Sequence, residues 1–259
     1  MILSIDVGLR NLSMCAMSGD PKDWNTFKIH LWDNFNTLDG DDYFCESTLK
    51  NGKVCGKKCT CKYKKDSQTI YTYTCKTHLP KEIDRTKRDV AYKKKRVEDY
   101  LLQDLADVVL QRLQEIYDRH KEVFSQLKGI VIELQPKINQ KMKFTSHLIY
   151  GKLVELYRGT KCTIRFVRAS QKLKAYTGEP LEAKCPRKGE YAKRKWLSIQ
   201  YCTWFLENKF CQAEREKWLP IMTNHKKQDD ASDSFLFCVQ GIVGIPKKQT
   251  KQKNGQDIK

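Results

Sequence analysis

The stretch MILSIDVGLRNLSMCAM, residues 1–17, reads as two strands and the turn between them. Ile2–Asp6 is a short apolar run, Gly8 and Asn11 permit a tight reversal, and Leu12–Met17 is a second apolar run. Thr26–Trp32 then alternates through Phe27, Ile29 and Leu31, so residues 1–34 predict a three-stranded antiparallel meander. An acid, Asp6, closes the first strand. Carboxylates in apolar surroundings are costly unless paired, protonated or metal-bound.

Three further acids sit in comparable settings. Glu133 follows the β-branched run of GIVIELQP, residues 129–136. Asp230 and Asp233, in KKQDDASDSFLFCV, are three apart where an apolar helical pattern begins, so they share one helix face. Singly, each has a bland role, as a strand-end cap or as a first-turn acid opposing the helix dipole. Converging, they would repel, and divalent cations are the usual remedy. A phosphodiester nuclease with two metal ions needs that arrangement.

Between these segments the pattern predicts a helix over about 86–122, with apolar positions at Val97, Leu101, Leu105, Val108, Leu113 and Ile116. It begins in a stretch, 81–96, with eight basic residues against three acidic ones, so its start should be exposed. Gly129–Glu133 is a fourth strand, Phe144–Arg158 a helix and Thr163–Val167 a fifth strand. Tyr191–Glu207 and Asp229–Val243 read as further helices. The sum is an α/β sandwich: a mixed five-stranded sheet flanked by helices.

The 259 residues carry 49 Lys and Arg against 31 Asp and Glu, a net charge of +18, which favours polyphosphate partners. An apolar fraction of 40% supports a core rather than disorder. No run approaches ~18 apolar residues, so no membrane span is expected. The N-terminal stretch, with an acid at position 6, is unlike a secretory signal. Eleven cysteines in such a chain point to a reducing, intracellular setting. From 246 to 259 the chain is Lys- and Gln-rich and reads as a disordered basic tail.

Residues 39–80 change character and read as an insertion. Cys45, Cys55, Cys59, Cys61, Cys75 and His78 crowd into it, and so short a polar segment cannot bury a core without help. Thiolates plus one imidazole favour tetrahedral Zn²⁺. Cys45, Cys55, Cys75 and His78 are the preferred ligands, with pairs drawn from Cys55, Cys59 and Cys61 as substitutes. Lys50, Lys53, Lys57, Lys58, Lys62, Lys64 and Lys65 suggest contact with a DNA arm or a partner subunit. Cys15, Cys162, Cys185, Cys202, Cys211 and Cys238 mostly lie in apolar patterns and read as core.

The order of elements matches the ribonuclease H-like fold, and three motifs sharpen the match. SIDVGLRNLSMC resembles the first motif of RuvC-type Holliday junction resolvases, VIELQP the second, and KKQDDASDSFLF the last. The resemblance covers 1–35 and 125–245, making 1–245 the nuclease domain around the insertion. Resolvases of large DNA viruses and of fungal mitochondria are the most similar in character. The resemblance implies that Asp6, Glu133, Asp230 and Asp233 bind two Mg²⁺ (or Mn²⁺) ions. Asp229 would be a helix cap or a support to them. It also places Lys195 where the family carries a basic residue, with Lys172, Lys193 and Lys227 competing to contact the scissile phosphate. His225 reads as an exposed loop residue.

The resemblance implies an endonuclease acting on branched DNA, the four-way junction, in recombination or replication. It implies a homodimer, since two symmetric nicks need two sites. The helix over 144–158, with Leu148, Leu153 and Leu156, is the expected dimer surface together with the long helix. A viral protein would work in the host cytoplasm, a fungal-type one in the mitochondrion. Two other readings fit the same acids or the same cysteines: a ribonuclease H-like nuclease for RNA–DNA hybrids or a transposon, and a non-catalytic zinc-containing nucleic-acid-binding protein.

Overall fold

A computed structural model describes residues 1–38, 43–64, 71–87, 90–92, 96–136 and 138–244. Lys65 and the expected tail lie outside them. The strands are β1 (Ile2–Val7), β2 (Asn11–Asp20), β3 (Asp23–Asn36), β4 (Cys61–Tyr63), β5 (Thr72–Thr74), β6 (Gly129–Leu134) and β7 (Thr163–Arg168). The helices are α1 (Leu102–Arg119), α2 (Lys121–Ser125), α3 (Gln140–Leu156), α4 (Glu190–Asn208), α5 (Gln212–Thr223) and α6 (Gln228–Val243). The chain divides into two compact units, one of residues 1–37 and 106 onward, the other Leu38–Leu105. None of the described helices is long and apolar enough to cross a membrane.

The first unit holds the mixed five-stranded sheet that the meander and the later strands predict, with the order β3-β2-β1-β6-β7. β1 runs antiparallel to β2 but parallel to β6, and β6 parallel to β7. Alternation along β1 puts Leu3 and Ile5 on one face, and Ser4 and Asp6 on the other. α6 lies on the second face, through small side chains. Ser4 Oγ donates to the Ser234 carbonyl, and Ser13 Oγ meets Ser234 Oγ at 2.8 Å. A Cβ on Gly241 would stand 3.0 Å from Ile2 Cγ2, so glycine lets the helix approach. The other side of α6 sends Phe235, Leu236 and Val239 into a core shared with Cys202 and Phe205 of α4 and Trp218 and Met222 of α5. Fully burying one such side chain contributes roughly 1.5–3 kcal/mol.

Buried Glu214 of α5 accepts hydrogen bonds from the Ile29 N–H at 2.9 Å and from Trp218 Nε1–H at 3.1 Å. It thereby satisfies a backbone donor of the edge strand β3. α3 starts with an Asn139 side chain accepting from the Met142 N–H, and packs on β6, β1 and β7.

The expectation for the long helix is corrected. The helix expected from about 86 begins at Leu102, because the preceding residues have other partners. An Asp84 turn bonds Thr86, the Val90 carbonyl and the Tyr92 N–H pair with the backbone of Lys62 and Thr60, and Val97–Asp99 forms a single 3₁₀ turn. The buried stripe of α1 is Leu105, Val109, Leu113 and Ile116, while Leu101 is 71% exposed. The second unit consequently runs on to Leu105, beyond the expected end at 80. Finally, Leu153 of the expected dimer stripe is buried along with Ile149 on the side of α3 that packs against the sheet, and Leu148 and Leu156 are half-buried.

In the second unit, residues 43–59 form a hairpin with bridges Phe44↔Lys58 and Thr48↔Val54, turning at Gly52 with φ 79°. β4 and β5 pair antiparallel beside it. Cys61, Leu79 and Val90 make one small apolar cluster. Cys45, Cys59 and Cys75 make another.

Candidate functional site: an acid pocket and a cysteine–histidine cluster

Asp6 and Glu133 stand one residue beyond the paired Ile5 and Ile132, at the carboxyl ends of neighbouring parallel strands. Sheets of this kind place their ligands at such strand ends. The face that carries Asp6 also carries Ser4, the seat of α6, so the first turns of α6 bring Asp230 and Asp233 to the same place. All four acids line one pocket of about 570 Å³, with Lys172, Lys195 and Gln135.

The charges there are under strain. Desolvation, a hydrogen bond to Glu133 and the charges of Glu133 and Asp233 push the Asp6 carboxyl well above the usual range. A hydrogen bond between two carboxyl groups requires a proton on one of them. Gln135 Nε2 donates to Glu133 Oε2 at 3.1 Å and fixes that side chain. Desolvation also raises Asp233, against the pull of its ion-pair partner Lys172. Burial works against the Lys172 charge, yet Asp233, Glu133 and Asp6 together hold its pKa above the ordinary value. Asp230 is raised by desolvation and by Asp229.

Asp229 is shifted in the opposite direction. Burial alone would raise it, but its ion pair with Lys195 keeps it ionised below the usual range. Lys195 in turn is held up by Asp229 and Tyr191 against the cost of burial. Lys172 is thus the lysine among the pocket acids, and Lys195 lines the same pocket on an acid of its own. Lys193 and Lys227 do not line it. His225 caps a local turn, its Nδ1 accepting from the Lys227 N–H at 3.0 Å.

These residues fit divalent cations by donor type and by one unmet need. Hard carboxylate oxygens suit Mg²⁺ or Mn²⁺, and Asp233 Oδ1 is buried with no hydrogen-bond partner. Among the described residues no three carboxylates close to within 4.8 Å of one another, and the Lys172 ammonium stands on Asp233. Sequence reasoning passed over Tyr191, Arg194 and Ser198, which also line the pocket from α4. Their spacing with Lys195, at one to four residues on a helix, was the available signal.

Cys45, Cys55, Cys75 and His78 have ligand atoms all within 4.8 Å of one another and could hold zinc. Cys55 Sγ and Cys75 Sγ are 3.9 Å apart, and His78 Nδ1 lies 3.4 Å from both Cys45 Sγ and Cys75 Sγ. Tetrahedral Zn²⁺ with bonds of 2.3 Å to sulfur and 2.0–2.1 Å to nitrogen has edges of about 3.8 and 3.6 Å. The match is close. Burial opposes ionisation of Cys45, but hydrogen bonds from Cys75, Ser47 and Thr74 lower its thiol to about 5, a ready thiolate. Cys59 is instead pushed up to about 11, by burial first and then by its cysteine neighbours. Cys59 and Cys61 stand outside the four. Of the other cysteines, Cys15, Cys202 and Cys238 are buried, whereas Cys162, Cys185 and Cys211 are partly exposed.

No family model matches the chain. An uncharacterized protein of Acanthamoeba polyphaga mimivirus is 28% identical over 252 residues, covering 88% of this chain. The chain spans 58% of that relative's length. Among solved structures, the Fowlpox virus resolvase in complex with Holliday junction DNA is 13% identical, with a TM-score of 0.44. That comparison covers 93% of this chain and 95% of the resolvase. The yeast mitochondrial Holliday junction resolvase is 14% identical with a TM-score of 0.43, covering 93% of this chain and 78% of the yeast one.

Proposed function

We propose that the chain is a Holliday junction resolvase, a structure-selective DNA endonuclease that makes paired, symmetric nicks in four-way junctions. The observation that carries this reading is the meeting of Asp6, Glu133, Asp230 and Asp233 in one pocket from β1, β6 and α6. Three motifs far apart in the chain, each weak alone, supply those acids in the order the resolvase resemblance calls for.

The four acids would hold two Mg²⁺ (or Mn²⁺) ions, which when bound activate a water and stabilise the leaving 3′ oxygen. The chain's own groups prepare the pocket. Gln135 fixes the direction of Glu133. Lys172, lining the same pocket, neutralises part of the acid charge through its ion pair with Asp233. Arg194 and Lys195 add positive charge to the lining from α4. The surplus of +18 favours phosphate contacts, so binding should be salt-sensitive and mostly independent of sequence.

The same reading takes 1–245 as the nuclease domain with zinc held in the inserted unit by Cys45, Cys55, Cys75 and His78. It takes the working form as a homodimer, because two symmetric cuts on a two-fold junction need two pockets. Replication or recombination in a viral host's cytoplasm is its setting, with mitochondria as the alternative.

The test is a labelled synthetic four-way junction mixed with the purified protein and Mg²⁺. Paired nicks at symmetric positions are expected, and Glu133→Gln should slow them by about a thousand-fold. Unchanged cutting by Glu133→Gln would end the catalytic assignment. Cutting of an RNA–DNA hybrid in preference to the junction would move the chain to another ribonuclease H-like class.

A further inference from the structure

One face of the small β4–β5 sheet carries side chains that the nuclease reading does not use. Lys62 pairs with Tyr73 across the two strands, while Cys61 pairs with Thr74. The two-residue period puts Lys62 and Lys64 on one face with Tyr71 and Tyr73, and the buried Cys61 and Thr74 on the other. Tyr43 stacks flat on Tyr73, with ring centres 3.7 Å apart and planes 2° apart. Tyr92 stands edge-on to both, at 5.5 and 5.0 Å. The ammonium groups of Lys62 and Lys64 lie 4.5 and 5.0 Å from the centre of the Tyr71 ring.

Tyr73 packs partly against Cys45, Cys59 and Cys75, whereas the outer rings of this face stay open in a unit with little core. Tyr43 and Tyr71 remain 38% and 39% exposed, although burying an aromatic ring is the largest apolar gain a small unit can make. Two stacked rings braced edge-on are stiff, so a third flat ring can join them at low cost in side-chain entropy. Residues 43–64 carry six lysines, Lys50, Lys53, Lys57, Lys58, Lys62 and Lys64, against one acid, Glu46. Flat rings beside ammonium groups match a polymer that alternates bases with phosphates. Duplex bases already stack on one another; single-stranded bases offer their faces.

We propose that the face bearing Tyr43, Tyr71, Tyr73, Lys62 and Lys64 is a base-stacking platform for single-stranded DNA. It needs none of the pocket acids, so it goes beyond the nuclease reading and stands or falls apart from it.

The experiment uses the full chain with zinc bound, carrying Glu133→Gln, in magnesium-free buffer. The probe is a 12-nucleotide single strand with 2-aminopurine at its centre, beside a blunt duplex of the same length. Binding should quench the 2-aminopurine, and the single strand should bind more tightly than the duplex. Tyr43→Ala and Tyr71→Ala should each weaken single-strand binding about ten-fold, and Tyr→Phe at either site should stay within about two-fold. Replacing Lys62 and Lys64 together by Gln should lower the slope of log affinity against log salt by roughly 1.4. If Tyr43→Ala loses its zinc, Tyr71→Ala decides, since Tyr71 lies outside the three-ring cluster. Alanine variants that bind as tightly as the parent, or a duplex preference without quenching, overturn the platform. Magnesium-dependent junction cutting by the unmodified chain is read separately, so either assignment can fail alone.

Discussion

Asp6 and Glu133 stand on adjacent strands of a five-stranded sheet, whereas Cys45, Cys55, Cys75 and His78 stand on a segment whose strands are three residues long. In the first region the core comes first: Phe205, Phe235 and Leu236 are fully buried, and the packed elements bring the acids to one pocket. In the second, the apolar clusters are a few residues each, and Cys45 and Cys75 of the candidate zinc site are themselves part of the buried interior. A site imposed by a fold can carry strained charge; a site that organises its own fold cannot. Asp6, Asp230 and Asp233 are accordingly raised by desolvation, while hydrogen bonds tune Cys45 toward the charged form that could bind metal.

The largest effect that would break this contrast is zinc removal. A strong chelator, or Cys75→Ala, should unfold residues 38–105 and leave the sheet of the first unit folded. Structural zinc contributes on the order of 10 kcal/mol to folding in small domains. Limited proteolysis read by mass spectrometry should show new cuts confined to 38–105. Equal protection with and without metal would erase the distinction between the units.

A middle-sized effect separates the two lysines of the pocket. Lys172→Met leaves the buried Asp233 without its partner and should cost about 3–5 kcal/mol in metal-free buffer. Lys195→Met breaks a pair whose lysine side chain is 38% exposed, so it should cost about 1 kcal/mol or less. Urea denaturation of both variants measures the gap, and equal losses would refute the ranking.

The smallest effect has the opposite sign. The folded-state pKa of Asp6 lies above its unfolded value, so the folded chain binds more protons, and stability falls as pH rises from about 4 through the raised pKa. Asp6→Asn removes that penalty. Without divalent ions at pH 7 it should melt a few degrees higher than the parent, roughly 1 kcal/mol of gain, and on the proposed reading it should show no junction cutting when Mg²⁺ is added. A lower melting temperature in metal-free buffer would show that the carboxylate is not strained.

Much of this was legible in the sequence, for reasons that differ by element. β1, β2 and β3 were readable because their apolar runs are punctuated by Gly8 and Asn11 and then alternate cleanly. The four acids stood out because each interrupts or borders an apolar run. The start of α1 was misread because Val97 and Leu101 extend its period by chance, while the backbone at 90–92 is taken up by β4. α5 was passed over since its buried residues, Glu214, Trp218 and Met222, mix a carboxylate into the stripe. The pairing of Lys172 with Asp233 joins residues 61 positions apart, and no local pattern encodes it.

The close seat of α6, where Ser4 and Ser13 meet Ser234, also sets a schedule for the nascent polypeptide. Asp6 and Glu133 leave the ribosome long before Asp230 and Asp233, and the cleft has no far wall until that helix arrives. On the proposed reading, a partly synthesised chain lacks two of its four pocket acids and cannot cut DNA. The pocket is complete only after α6, ending at Val243, has left the exit tunnel and packed on β1 and β2.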